Sequence, residues 1–236
     1  MAVKEIKDMG ASVLTRLKKQ AKETGINYQT CLQLFAQEEF LRKLEMSRYA
    51  ENLVLKGGMF LYTISNYEGR PTMDIDFMLR RMANDVAGME TVMKEICQTE
   101  TYNDFITMEV LGAREITSEK KYPGIGINLI AYIKNVRIPF SVDIGVDDVI
   151  VPRAVKRTVT TRLEGFKEPS IYTYSLESTM AEKFDAILKR MTASSRMKDF
   201  SSVLVQIDRF IGPVYGALLR EDEFLGMWSS KENVWK

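Results

Sequence analysis

The sequence predicts an α+β protein in which a mixed β-sheet lies between N-terminal helices and a C-terminal helical region. Apolar residues recur at three- to four-residue spacing up to residue 46 and again after residue 175, which is typical of amphipathic helices. Between residues 103 and 146 they alternate with polar residues, which indicates strands. The one boundary that this change of period suggests lies near residue 175, so we expect domains at 1–175 and 176–236.

The first hundred residues contain six predicted elements, in the order helix, helix, strand, short helix, strand and helix. Their ranges are 3–23, 28–46, 52–56, 57–65, 73–79 and 84–98. Gly25 ends the first helix, and Asn84 or Asp85 is the expected N-cap of the last one.

The middle of the chain is predicted to form strands at 103–111, at two places within 124–146, and at 170–174. The pair within 124–146 turns at Lys134-Asn135. A basic stretch follows, "PRAVKRTVTTRL", with no element assigned to it. Three further helices are predicted at 176–191, 195–211 and 214–229.

The composition excludes several kinds of chemistry. The chain has 236 residues, a formal net charge of +1 and no histidine. Histidine-based catalytic triads and most zinc sites are therefore excluded, and any metal site would consist of carboxylates, which suit Mg²⁺ or Mn²⁺. The balanced charge excludes a strongly basic coat, although it allows local basic patches.

The cellular setting predicted from the sequence is the cytoplasm. Cys31 and Cys97 both lie in apolar-periodic stretches, so we expect buried free thiols instead of a disulfide. The N-terminus lacks the apolar core of a signal peptide, and no run approaches the ~18 apolar residues of a membrane span. We therefore expect no membrane association.

Two aspartates on one predicted strand are the first candidate site residues. Asp74 and Asp76 are two positions apart in "MDIDFML", so their side chains share one face of the strand, about 7 Å apart. Asp143, in "PFSVDIGV", is flanked by apolar residues on another predicted strand. If the two strands are neighbours, three carboxylates converge, and a divalent cation would turn their repulsion into attraction.

A glycine pair supplies the second half of the candidate site. Gly57-Gly58 lies between a buried strand and a short helix. Glycine lets backbone N–H groups approach phosphate oxygens at a helix N-terminus, so a triphosphate could be held by this turn and by the metals that the aspartates bind.

These motifs resemble those of a known family. "GGMF…DIDF" followed by "VDIG" is similar to the pattern of polymerase-β-like nucleotidyltransferases. "EEFLRKLEMSRYAENLVLKGGMFLY", "RPTMDIDF" and "LESTMAEKFDAILKRMTASSRMKDF" resemble the AbiEii/AbiGii toxin branch over roughly residues 28–210. The resemblance implies a polymerase-β-like core in 1–175 and a toxin of a toxin–antitoxin or phage-defence (abortive infection) system, restrained by a separate antitoxin.

The resemblance also implies the activity and the roles of individual residues. The enzyme would transfer a nucleoside monophosphate from a nucleoside triphosphate (NTP) to a hydroxyl of an RNA, such as a tRNA 3′ end, or of a protein. Gly57 and Gly58 would form the phosphate turn, Asp74 and Asp76 would bind the metals, Lys183 would contact the nucleotide phosphates, Asp199 would complete the active site, and Asp143 would be the third carboxylate of the wider superfamily.

Other interpretations stay open from the sequence alone. The same fold could bind nucleotide or RNA without turnover, although a decayed module would be expected to have lost at least one acidic residue. Lys183 could be a snorkelling lysine beside an apolar helix stripe, and Asp199 could favour a helix dipole. The basic residues between Arg153 and Arg162 could contact RNA phosphates or form a solvated face. A kinase is disfavoured because the chain lacks a Walker A lysine motif and an HRD-type loop.

Overall fold

The computed structural model describes residues 8–65, 71–116, 123–146, 149–190, 228–229 and 234–235, and it describes side chains up to residue 183 in the last helix. The chain divides into two compact units, residues 1–175 and 176–236.

The first unit contains four helices and a seven-stranded mixed sheet among its described residues. The helices are α1 (Met9–Thr24), α2 (Tyr28–Met46), α3 (Gly57–Ile64) and α4 (Val86–Gln98). The strands are β1 (Leu53–Lys56), β2 (Asp74–Leu79), β3 (Ile106–Ile116), β4 (Gly124–Ile133), β5 (Val136–Gly145), β6 (Val155–Thr158) and β7 (Ser170–Thr173). Their order in the sheet is β3-β4-β5-β2-β1-β7-β6.

The second unit contains one helix and a small strand pair among its described residues. These are α5 (Leu176–Arg190) and the antiparallel strands β8 (Trp228–Ser229) and β9 (Val234–Trp235).

Local sequence signals determine where the helices begin and end. Asp8 caps α1 by accepting a hydrogen bond from the N–H of Ala11, and Gly25 ends the helix at a φ of 72°. Asp85 caps α4 by accepting a hydrogen bond from the N–H of Gly88. A Cβ on Gly88 would lie 2.6 Å from that carboxylate, which explains a glycine inside this helix.

The core of the first unit lies between α2, α4 and one face of the sheet. Phe40 of α2 contacts Phe77 of β2 and Phe140 of β5, with both ring-centroid distances at 6.1 Å. Successive strand side chains alternate between faces. Asp74, Asp76 and Asp143 therefore lie on the opposite face from α2.

The structure confirms the α+β class, the mixed sheet and most of the predicted elements. Helix α2 has the predicted bounds, and the β4–β5 hairpin turns at Lys134-Asn135 as predicted. Cys31 and Cys97 are buried free thiols. None of the helices in the described ranges is long and apolar enough to cross a membrane.

Three predictions differ from the structure. Strand β6 lies in the basic stretch to which no element was assigned. It was not predicted because an alternation of apolar and polar residues cannot be recognised over only four residues. Strand β3 extends to Ile116, beyond the predicted end at 111. The predicted helix 214–229 is wrong at its end, since Trp228 and Ser229 pair with β9. Its remainder and the predicted helix 195–211 lie outside the described residues.

Candidate active site

The sheet register brings the three predicted carboxylates to one face. Strands β2 and β5 are parallel neighbours, with Asp76 opposite Asp143 and Asp74 opposite Ser141. Asp74 is exposed, whereas Asp76 and Asp143 are half-buried. The two strands that carry these aspartates are therefore neighbours, as the predicted convergence of the three carboxylates requires.

Asp143 is electrostatically perturbed by its surroundings. Burial raises the pKa of its carboxyl group, and the negative charge of Asp74 raises that pKa further, while the guanidinium of Arg114 opposes both. Asp74 and Asp143 therefore interact across the two strands. A cation placed between these carboxylates would relieve their repulsion.

The glycine turn directly contacts the acidic strand. Gly57 has a φ of 67°, and a Cβ on this residue would overlap the carboxylate of Asp76. A Cβ on Gly58 would lie 2.9 Å from Oγ1 of Thr72, just before β2. The first two residues of α3 and the start of β2 thus pack together with no room for a side chain on either glycine.

Two buried amides of α2 position the start of β2. Nε2 of Gln33 and Nε2 of Gln37 donate hydrogen bonds to the carbonyl oxygen of Met73, at 3.0 and 2.9 Å. Met73 immediately precedes Asp74, so these bonds fix the point at which the acidic strand begins. Sequence reasoning missed both residues, although two glutamines four positions apart in a helix of apolar residues were a usable signal.

Lys56 is a third residue that sequence reasoning missed. It ends β1, only 8% of its surface is exposed, and its Cα partner on β2 is Asp76. Its Nζ lies 5.5 Å from the ring centroid of Tyr174. A lysine at the end of a buried strand, immediately before the glycine pair, was the signal that could have identified it.

Two further predicted site residues belong to the C-terminal part of the chain. Lys183 lies on α5, in the second unit, and Asp199 lies outside the described residues. Their assignment to the site stays a prediction.

The donor set suits magnesium when the nucleotide supplies part of the coordination. Within the described part of the chain, no group of three carboxylate, cysteine or histidine side chains could hold a metal ion by itself. Mg²⁺ is usually bound by one or two carboxylates together with substrate phosphates and water. Asp74, Asp76 and Asp143 beside a glycine turn fit that mode.

A row of carboxylates facing a glycine turn at the start of a helix is the arrangement expected of an enzyme that transfers a phosphorus-containing group. The family model described as "Nucleotidyl transferase AbiEii toxin, Type IV TA system" matches residues 39–201, which is more than half of the chain. The chain belongs to this family of nucleotidyltransferase toxins. The family resemblance seen in the sequence is thereby confirmed, and membership implies a nucleotide substrate and a separate antitoxin.

Two solved structures are similar to this one. A candidate nucleotidyltransferase from Helicobacter pylori is 12% identical, with a TM-score of 0.46, over 75% of this chain and 69% of that chain. JHP933 from Helicobacter pylori is 11% identical, with a TM-score of 0.48, over 75% of this chain and 67% of that chain. A comparison with curated proteins found no match.

Proposed function

We propose that this nucleotidyltransferase toxin is metal-dependent and transfers a nucleoside monophosphate from an NTP to a hydroxyl group of an RNA, with a tRNA-like 3′ end as the acceptor. The observation that supports this proposal is the register of Asp76 with Asp143, combined with the close packing of Asp76 against Gly57. It supports the proposal because carboxylates that could bind a metal lie next to a glycine turn that could bind phosphate.

The proposed roles are those that the family resemblance implies, and the positions of the residues support them. Asp74, Asp76 and Asp143 would hold Mg²⁺ or Mn²⁺, which when bound would neutralise phosphate charge and favour loss of the proton from the acceptor hydroxyl. Gly57 and Gly58 would orient the triphosphate through backbone N–H groups.

Two of the proposed site residues, Lys183 and Asp199, belong to the C-terminal region. We assign the nucleotidyltransferase domain with its N-terminal helices to residues 1–175, and the C-terminal helical region to residues 176–236. Lys183 would meet the nucleotide phosphates, and Asp199 would complete the active site. The biological setting we propose is a cytoplasmic toxin–antitoxin pair that acts in phage defence.

The test is to incubate the full chain with Mg²⁺, total RNA and each α-phosphate-labelled NTP in turn. We expect label in an RNA fraction with one NTP or a subset of them, and no label without Mg²⁺. Nucleotide binding without any transfer would favour a non-catalytic nucleotide- or RNA-binding module. Label in a protein fraction, with none in RNA, would replace the RNA acceptor by a protein hydroxyl.

A further inference from the structure

A single row of register partners crosses five neighbouring strands at the candidate site. From β3 to β1 the partners are Arg114, Gly126, Asp143, Asp76 and Lys56. Register partners point to the same face of a sheet. The two acids therefore occupy the middle of the row, and each end carries a cation.

The cation at the β1 end reaches across the acidic strand. Nζ of Lys56 lies 3.8 Å from the position that a Cβ on Gly145 would occupy. Gly145 is on β5, and β2 separates β5 from β1. The side chain of Lys56 therefore crosses the strand that carries Asp74 and Asp76, and its ammonium group lies two residues beyond Asp143, where glycine leaves it room.

Burial makes this position electrostatically significant. Lys56 is nearly inaccessible, and an ammonium group in such a place is stable only when negative charge or an aromatic face offsets its desolvation. The acids of the same row supply the negative charge, and the ring of Tyr174 supplies the face. In return the ammonium group offsets the repulsion among the carboxylates.

We propose that Lys56 is a positioning residue of the transferase site. Its ammonium group is a resident cation that holds Asp74, Asp76 and Asp143, here called the acidic row, together before a metal binds. The inference rests on the proposed metal-dependent function. Because Lys56 and the metal compete for the same negative charge, loss of the lysine weakens the metal-free protein but strengthens its binding of a divalent cation. A lysine that serves only to fill space would show no such coupling.

Lys43 provides a matched control for burial. It is 6% exposed, lies on α2, and donates a hydrogen bond to the carbonyl oxygen of Thr99 at 2.7 Å. Lys43 is a buried lysine on the side of the sheet away from the acidic row. Its replacement by methionine has the cost of losing a buried lysine without changing the charge at the site.

The experiment measures thermal unfolding of the full chain with and without Mg²⁺, together with a Mg²⁺ titration, for wild type, Lys56→Met, Lys56→Arg and Lys43→Met. We expect Lys56→Met to have a lower Tm without metal, a larger Mg²⁺-induced rise in Tm than wild type, and an about tenfold lower Kd for Mg²⁺. Lys56→Arg should behave like wild type. Lys43→Met should lose stability and keep the wild-type Mg²⁺ response.

The outcomes separate this inference from the proposed function. A Mg²⁺ response in Lys56→Met that equals or falls below that of wild type overturns the role of Lys56 alone. No Mg²⁺ response in wild type overturns the metal site itself. Rescue of an unfolded Lys56→Met protein by Mg²⁺ supports the inference. If Lys56→Met and a second variant, Lys56→Gln, both stay unfolded with and without Mg²⁺, the lysine is structural and the inference is wrong.

Discussion

Gly57 must be glycine for two separate reasons, its φ of 67° and its packing against Asp76. Gly25 has a similar φ of 72°, but nothing lies within 4 Å of the position of a Cβ. A substitution at Gly25 therefore measures the backbone cost of the positive φ without any steric overlap. We expect Gly25→Ala to lower the free energy of unfolding by about 1 kcal/mol, the backbone cost alone. Gly57→Ala should cost more and should also abolish nucleotide transfer, because Asp76 has to move.

Urea denaturation and transfer assays of the two glycine variants test this expectation. Equal stability losses in Gly57→Ala and Gly25→Ala, with transfer intact in both, would show that the close approach of Asp76 to Gly57 is unimportant.

Lys183 has a competing explanation that a second lysine on α5 can test. If Lys183 meets the triphosphate, Lys183→Met should preserve the Tm and reduce turnover by orders of magnitude, since charge stabilisation in a site of this kind is worth about 3 kcal/mol or more. Lys189→Met, on the same helix, should have little effect on turnover. Small and equal losses in both variants would indicate that Lys183 merely snorkels.

Individual site residues were predictable where a local pattern marked them. The two-residue spacing of Asp74 and Asp76, and the glycine pair, are visible in a few letters of sequence. Local signals mark Lys56, Gln33 and Gln37 as unusual but do not reveal their roles, because those roles depend on which strands pair and on which carbonyl a helix faces, and both are non-local properties.

At the scale of the element, side-chain hydrogen bonds divide the basic residues in and around β6 into two groups. Nε of Arg157 donates to Oγ1 of Thr173 at 3.2 Å, and Nη1 of Arg162 donates to the hydroxyl of Tyr62 at 2.8 Å. These two arginines are held by the protein's own side chains. Arg153 and Lys156 are exposed, and they are the residues of the stretch that remain suited to RNA phosphate contacts.

We expect the double variant Arg153→Gln/Lys156→Gln to bind RNA more weakly and to reduce the slope of log affinity against log salt by about two, one for each lost contact. NTP binding and stability should stay near wild type. Arg162→Gln should instead lower stability, because it loses the hydrogen bond to Tyr62 of α3. Unchanged RNA affinity of the double variant at low salt would identify the exposed pair as a solvated face and favour a protein acceptor.

Helices and strands were predictable from the sequence where they were long enough to repeat their apolar pattern. The helices α2 and α4 repeat their apolar spacing over three or more turns, and the β4–β5 hairpin alternates over ten residues on each side of its turn. The pairing of β1 with β7, which is parallel and joins distant segments, leaves no mark in the sequence of either strand.

At the scale of the whole molecule, a buried charged cluster makes stability depend on pH. Burial raises the pKa of Glu38 from 4.5 to about 7, while Arg42 and the backbone N–H of Arg162 oppose the shift. Between these two pKa values the folded state binds more protons at this group than the unfolded state does. The stabilising contribution is therefore complete below about pH 4.5 and is lost as the pH rises towards 7.

We expect this group to lower the free energy of unfolding by about 3 kcal/mol between pH 4.5 and pH 7, following the 1.36 kcal/mol per pKa unit of linkage. Urea midpoints followed by far-UV circular dichroism at several pH values, for wild type and Glu38→Gln, measure it. The difference between the two proteins should change with pH in this window. A pH-independent difference would contradict the assignment of the titration to Glu38.

The central claim is that the acidic row and the glycine turn carry out nucleotidyl transfer. The most direct measurement gives the full chain Mg²⁺, an acceptor fraction and an NTP labelled at either the α- or the γ-phosphate. We expect the α-label to enter the acceptor with release of pyrophosphate, and Asp76→Asn, which preserves the shape packed against Gly57, to abolish transfer while folding normally. Transfer of the γ-label, or undiminished transfer by Asp76→Asn, would contradict the claim.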